Sequence, residues 1–421
     1  MDTFKITPSK IHGTIKVPSS KSHTLRAILF GMMGKGRSLI RGYLHSSDSE
    51  AMIEAVTLFG AKVEIIGTDL FIQGIGYPKA AENVIQAVNS GQVLRFIGAL
   101  AALSPHYTII TGDHSIRHNR PIAPLLDGLR QLGAFAETSR GDGYAPIIIR
   151  GPLKGGSATL DGQDSQPISG LIIASAFAPH KTEIFVKNPG ETPWIDLTLH
   201  WLDYLGLPYK RENYTHYTLP GHGSFDRFER TIPGDMSSAA YPVAAALITG
   251  SEITVQNIDM NDVQGDKALF LALKSMGADL EFGIDFIKVR PSKLKGKSLD
   301  INQFIDSITI LAVLGCYAEG KTVITGASIA RHKESNRIEA IVTELKKMGA
   351  SIQETDDGLI VEHSPLKGAV METYHDHRMV MSLSCAALGA KGSSTIHGVT
   401  CARKTYPTFK ADFMQMGALI E

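Results

Sequence analysis

Lys21, Ser22 and Arg26 fall in the run Pro18-Ser19-Ser20-Lys21-Ser22-His23-Thr24-Leu25-Arg26, a grouping suited to holding an anion. Leu25, Ile28, Leu29 and Met32 continue it at helical spacing, and Ser20 and Ser22 are both N-cap candidates. The hydroxyls and Lys21 therefore start a helix, with Arg26 about one turn inside. A helix N-terminus presents unpaired N–H groups and partial positive charge. Hydroxyls, an ammonium and a guanidinium added there suit a phosphate. Taken alone, the run is explained equally well as an ordinary capped helix with solvated charges.

Similar groupings recur. In Asn89-Ser90-Gly91-Gln92-Val93-Leu94-Arg95, the arginine again lies one turn inside, and Gly91 would let a ligand approach the backbone closely. Arg120-Pro121 opens another helical segment, and Asp164-Ser165-Gln166 supplies small polar groups at a helix start. Arg331-His332-Lys333-Glu334-Ser335-Asn336-Arg337 is read as opening an amphipathic helix, with Lys333 and Arg337 sharing a face. Basic residues at a helix start oppose its dipole, which makes sense if an anion binds there. Glu334 among these cations should stay ionised or shuttle protons. His375-Asp376-His377-Arg378 and Arg403-Lys404-Thr405-Tyr406-Pro407 complete the set. A metal is the rival reading for His375 with His377, or His114 with His118, but neither pair has the Glu or Cys company of a zinc site.

Several classes are disfavoured. Lys plus Arg equals Asp plus Glu at 42 each, without the basic excess of nucleic-acid binders. No apolar run has membrane-spanning length, and Asp2 and Lys5 interrupt any signal-peptide pattern. Cys316, Cys385 and Cys401 lack paired spacing, which suits a reducing, cytoplasmic setting. There is no Walker A loop, no dinucleotide fingerprint after a strand and no nucleophile elbow.

The elements that must position these groups form a six-fold repeat. Gly60, Gly133, Gly206, Gly277, Gly349 and Gly417 each follow an apolar residue that ends a helical pattern, 68 to 73 residues apart. Each would be a helix C-cap glycine, and strand-like segments such as Lys62–Ile66 and Asp279–Phe282 follow. About 40 residues upstream of each lies a polar helix start, at Ser20, Asn89, Asp164, Asp235, Asp306 and His375. Pro167 and Pro242 are read as first-turn prolines. Units this long pack as compact α/β lobes, three per lobe, rather than as a solenoid. If the polar helix starts converge, they would create a positive cleft.

In this order the motifs resemble the EPSP synthase family of enolpyruvyl transferases. The similar stretches are residues 18–27, 89–95, 120–122, 165–166, 234–241, Asp306, 332–338, 376–381 and 403–407, which cover nearly the whole chain. The resemblance implies two lobes, each of three βαβαββ units, around a central cleft. One lobe is discontinuous, 1–19 plus 233–421, because the first strand packs with the C-terminal half; the other is 20–232. It implies transfer of the enolpyruvyl group of phosphoenolpyruvate to the 5-hydroxyl of shikimate 3-phosphate by addition and elimination. A cytoplasmic monomer is implied, with no cofactor and no metal, whose partners are these small molecules rather than nucleic acid or membrane.

The family pattern carries residue roles onto this chain. Lys21, Ser22, Arg26, Ser165, Gln166, Asp306 and Lys333 would contact shikimate 3-phosphate. Lys21, Gly91, Arg120, Gln166, Arg337, Arg378 and Lys404 would contact phosphoenolpyruvate. Lys21, Asp306 and Glu334 would be catalytic. Gln92, Asp164, Ile305, Asn336 and Trp194 depart from the usual pattern, and Asp164 adds a carboxylate that must turn away or pair. The sister family, which uses UDP-N-acetylglucosamine, fits less well: Ser115 stands where its loop carries a Cys, and Ser22 where Asn follows its Lys. A non-catalytic phosphoanion binder would not need Asp306 and Glu334.

Overall fold

The computed structural model describes residues 2–421. It contains six four-stranded sheets built to one plan. The plan is clearest in the third repeat. Strand Gly156–Asp161 leads through helix Ser165–Phe177 to the parallel strand Thr182–Lys187. Helix Thr192–Tyr204 and the antiparallel strands Lys210–Glu212 and His216–Leu219 complete it. The sheet order is first, second, fourth, third, so the last hairpin turns back against the second strand. This is the βαβαββ unit.

The described chain divides into two compact units, residues 2–18 with 233–421, and residues 19–232. Strand pairing explains the discontinuity. Gly13–Lys16 precedes helix Lys21–Met33 in sequence but pairs in parallel with Ile253–Gln256. Glu229–Thr231 precedes helix Met236–Thr249 but pairs in parallel with Lys35–Arg41. The first strands of these two repeats are exchanged. Thr3–Thr7 closes the sixth sheet beside Ser394–His397 and Leu419–Ile420. Ser19 belongs with the second unit rather than with residues 1–19. Pro18 is held in the first because its carbonyl accepts from the Asp235 amide at 2.9 Å.

The first helix of each repeat is apolar on nearly every side and therefore internal. Ser165–Phe177 and Met236–Thr249 are buried almost throughout. In the discontinuous unit, helices Met236–Thr249, Ile308–Tyr317 and His377–Leu388 pack against one another. Pro242 lies seven residues into its helix rather than in the first turn, because Asp235 caps the helix and sets the start at Met236.

The six glycines end the second helices alike. Each takes positive φ, from 68° at Gly206 to 106° at Gly60. The next amide bonds back five residues, as in Ala61 to Val56, Ala134 to Leu129, Leu207 to Leu202, Ala278 to Leu273, Ala350 to Leu345 and Ala418 to Phe413. With the glycine amides bonding three residues back, these are six Schellman closures. Each turns the chain directly into the third strand of its sheet. At Gly349, φ is +89° and an added Cβ would meet nothing within 4 Å. Gly349→Ala therefore isolates the backbone cost and is expected to lower unfolding free energy by about 1–2 kcal/mol at unchanged urea m-value. An unshifted denaturation midpoint would show that the closure contributes nothing.

Candidate active site

Each unit gathers three polar helix starts. In the unit of residues 19–232, these are capped by Ser20, Ser90 and Asp164. Ser20, not Ser22, is the first cap, accepting from the His23 amide at 3.4 Å. This leaves Ser22 one residue inside the helix, where its hydroxyl accepts from Gln92 Nε2 at 3.1 Å. Lys21 is the first helical residue, its ammonium 3.6 Å from Asp48. Asp48 also accepts from the Ser90 hydroxyl at 2.9 Å, tying two of the helix starts together.

Arg26 is fully buried, and its four hydrogen bonds go to neutral oxygens: Thr198 Oγ1 twice, the Ser22 carbonyl and the Trp194 carbonyl. Its guanidinium also lies 5.0 Å over the Phe96 ring. Burial lowers its pKa to about 9, so it stays charged at neutral pH. A buried cation solvated by dipoles is costly until an anion joins it.

Gly91, Arg120, Gln166 and Arg95 meet at one point. A Cβ on Gly91 would overlap Arg120 Nη1 and come within 2.9 Å of Arg95 Nη1 and 3.1 Å of Gln166 Oε1. The space that glycine leaves is thus occupied by the protein's own guanidinium groups. Arg95 bonds Gln166 Oε1 at 3.3 Å and pairs with Asp164 at 3.0 Å. Asp164 also caps the Gln166 amide at 3.0 Å, so this unusual carboxylate is neutralised within the unit. Ser165 donates both its amide and its hydroxyl to the buried Glu191, at 3.3 and 3.4 Å. Glu191 holds φ +46°, an uncommon backbone state for a non-glycine residue.

In the discontinuous unit the cluster centres on Arg337. It is 1% exposed and donates to three carboxylates: Asp306 Oδ1, Glu334 Oε2 and Asp376 Oδ2, each at 2.7 Å. Burial works against its charge, yet Asp376, Glu334 and Asp306 hold the guanidinium well above the usual arginine range. Lys404 takes the other oxygen of Glu334 at 2.6 Å, and Arg378 takes the other oxygen of Asp306 at 2.6 Å. Asp306 is the penultimate residue of a short 3₁₀ turn, Asn302–Ser307, and the helix begins at Ile308. Lys333 is buried beside Glu334 in sequence.

The expectation that Lys333 and Arg337 share a helical face fails. Asn336 caps the helix by accepting from the Glu339 amide, so Arg337 is the first helical residue and Lys333 lies outside it. Asparagine caps as well as aspartate. Arg331 serves the strand hairpin instead, bonding Glu354 and the Thr355 and Asp356 carbonyls. His377 is buried while His375 is exposed, so that pair shares no metal-binding environment. No group of three or more His, Cys, Asp or Glu among the described residues is arranged to hold a metal ion.

Sequence reasoning assigned no binding or catalytic role to Asp48, Glu191, Arg95 or Asp376, although Arg95 and Asp376 lie in stretches it singled out. Their signal was present: each lies in or beside a polar helix start and bonds a residue that was singled out. Asp376 is fixed by an unusual turn. Tyr374 and His375 both adopt φ above +50°, and the Tyr374 hydroxyl donates to the buried Glu344 at 2.7 Å.

The family model described as EPSP synthase (3-phosphoshikimate 1-carboxyvinyltransferase) matches residues 6–413. The chain belongs to the EPSP synthase family. It is 43% identical to the 3-phosphoshikimate 1-carboxyvinyltransferase of Chlamydia muridarum over 96% of this chain and 92% of that one. It is 39% identical to that of Acetivibrio thermocellus over 99% and 98%. The solved EPSP synthase of Acinetobacter baumannii superposes with a TM-score of 0.84 at 31% identity, covering 100% of this chain and 99% of that one.

The Arg95–Asp164 pair gives a test within one unit. Asp164→Ser keeps a capping hydroxyl but removes the carboxylate facing a guanidinium that is 2% exposed. Unfolding free energy should fall by about 2 kcal/mol. Denaturation indistinguishable from wild type would mean the pair contributes nothing to stability.

Proposed function

We propose that the chain transfers the enolpyruvyl group of phosphoenolpyruvate to the 5-hydroxyl of shikimate 3-phosphate, releasing phosphate, as a step of the shikimate pathway. The observation that carries this reading is the double clamp on Arg337: Asp306 and Glu334, two carboxylates able to move protons, both bond its guanidinium. Each substrate brings a phosphate of about −1.5 to −2 charge and a carboxylate. Such anions compete with Asp306 and Glu334 for Arg337, Arg378 and Lys404 and free those carboxylates to act.

We assign shikimate 3-phosphate to Lys21, Ser22, Arg26, Ser165, Gln166, Asp306 and Lys333. Phosphoenolpyruvate is assigned to Lys21, Gly91, Arg120, Gln166, Arg337, Arg378 and Lys404. Asp306 accepts the 5-hydroxyl proton as the oxygen attacks C2 of phosphoenolpyruvate. Glu334 in its protonated form gives a proton to C3, making a methyl group. Glu334 then takes a methyl proton back as the C–O bond to phosphate breaks, and Lys21 stabilises the departing phosphate. This is acid–base chemistry assisted by fixed cations. Cys316, Cys385 and Cys401 are free thiols, in keeping with the cytoplasmic setting we assign. No helix among the described residues is long and apolar enough to cross a membrane.

The direct test is phosphate release from phosphoenolpyruvate with each acceptor. Shikimate 3-phosphate should support turnover and UDP-N-acetylglucosamine should not; the reverse result would sink the assignment. Glu334→Gln should lower kcat by about 10²–10⁴ while calorimetry shows shikimate 3-phosphate binding within a few-fold of wild type. Equal loss of binding and rate would remove the proton-shuttle role. Lys21→Met should keep the fold by circular dichroism and lose turnover by a comparable factor. Near-normal turnover would remove Lys21 from the site.

A further inference from the structure

Asp266 has no part in the chemistry above, yet it sits one hydroxyl away from it. It is fully buried at the start of helix Lys267–Ser275 and makes no side-chain cap bond there. The Ser237 hydroxyl donates to its Oδ2 in a very short contact, while its Oδ1 has no hydrogen-bond partner among the described residues. Ser237 in turn accepts from Arg378 Nη2 at 3.2 Å, and the same Nη2 donates to Asp306 Oδ2 at 2.6 Å. Asp266, Ser237, Arg378 and Asp306 thus form one chain of contacts drawn from the Lys267 helix, the Met236 helix, the His377 helix and the 3₁₀ turn.

A structural carboxylate at a helix start would normally cap it. This one spends its only bond on a serine that positions a guanidinium. The charged groups facing it are Asp306 from the 3₁₀ turn, Arg378 from the His377 helix and Asp235 from the cap of the Met236 helix. On its own segment, the Lys267 ammonium is turned away to the Asp262 carbonyl at 2.7 Å. Burial first, then the negative charges of Asp306 and Asp235, push the Asp266 carboxyl up to about 7, against the pull of Arg378 and Ser237. Its charge therefore changes in the neutral range.

We propose that Asp266 is a positioning residue for the enolpyruvyl transfer. As a carboxylate it accepts the hydrogen bond of the Ser237 hydroxyl, leaves the serine lone pairs facing Arg378 and so fixes the guanidinium that holds Asp306. The inference rests on the reading that Arg378 and Asp306 handle the substrates. Its ionised charge also repels that of Asp306, which makes Asp306 a stronger base. Two carboxylates coupled by one pK unit change the proton affinity of the base about tenfold.

The test is the pH profile of kcat/KM for phosphoenolpyruvate in Asp266→Asn, which keeps the shape and an acceptor oxygen but removes the charge. Wild type should rise through a limb near pH 7. The variant should lack that limb and fall about tenfold below wild type at pH 8. A superimposable profile would overturn the proposal. Thermal unfolding checks the fold independently. A carboxyl whose pKa is raised on folding loses its stabilising contribution as pH rises through about 7. Asp266→Asn should therefore gain more Tm over wild type at pH 8 than at pH 5. If that variant does not fold, Ser237→Ala carries the test. It should raise KM for phosphoenolpyruvate several-fold with kcat little changed, and an unchanged KM would overturn the proposal. Asp306→Asn separates the two levels. Full turnover in Asp306→Asn would bring down the underlying reading. An inactive Asp306→Asn beside an unshifted Asp266→Asn would bring down this inference alone.

Discussion

Much of the discontinuous unit depends on the bonds that Arg337 makes to three carboxylates. A guanidinium this deeply buried would be expensive alone, and Asp306, Glu334 and Asp376 offset that cost from three different elements. Because Arg337 is the first residue of its helix, the cation stands at an end where the dipole disfavours it. The carboxylates compensate. On the function we propose, an incoming phosphate or carboxylate would do the same and displace these carboxylates from Arg337.

The unit of residues 19–232 solves the problem differently. Arg95 and Lys21 have carboxylate partners in Asp164 and Asp48, whereas Arg26 is solvated by hydroxyl and carbonyl oxygens. Neutral partners keep a cation in place without satisfying its charge, which favours a bound anion. The fold supplies these arrangements through repetition. Every repeat ends its second helix in a Schellman closure and begins its first with a polar start, so three starts meet within each unit. The strained backbone at Glu191, and at Tyr374 and His375 before Asp376, lies where a carboxylate must point at a site residue.

The repeat was legible because its punctuation is chemical. Positive φ after a helix asks for glycine, and a capped start asks for Ser, Asp or Asn, so glycine spacing and polar clusters mark the same elements in sequence and in space. The residues singled out as site candidates also fall in clusters, one in each unit. What sequence could not give is partner choice. Nothing in Asp164-Ser165-Gln166 says that Arg95 neutralises the first and bonds the third, and nothing near Asp266 announces Ser237. The first pairing joins two repeats, and the second joins the starts of the two helices of one repeat, nearly 30 residues apart. The helix expected from Arg331 onward failed for a local reason, since Asn336 is a better cap than an interior residue. The exchange of first strands at residues 18–19 and 232–233 was implied only by family resemblance, because strand pairing across about 190 and 240 residues leaves no periodic mark.

On the function we propose, substrate anions take over the cations held by Asp306 and Glu334. The measurement that bears on it most directly is a structure of the enzyme with shikimate 3-phosphate and an unreactive phosphoenolpyruvate analogue bound. Arg337 should then give up Asp306 for the analogue's anionic groups, with Asp306 turned to the 5-hydroxyl and Glu334 facing the methylene carbon. Arg337 still bonded to all three carboxylates, with the analogue bound elsewhere, would contradict it.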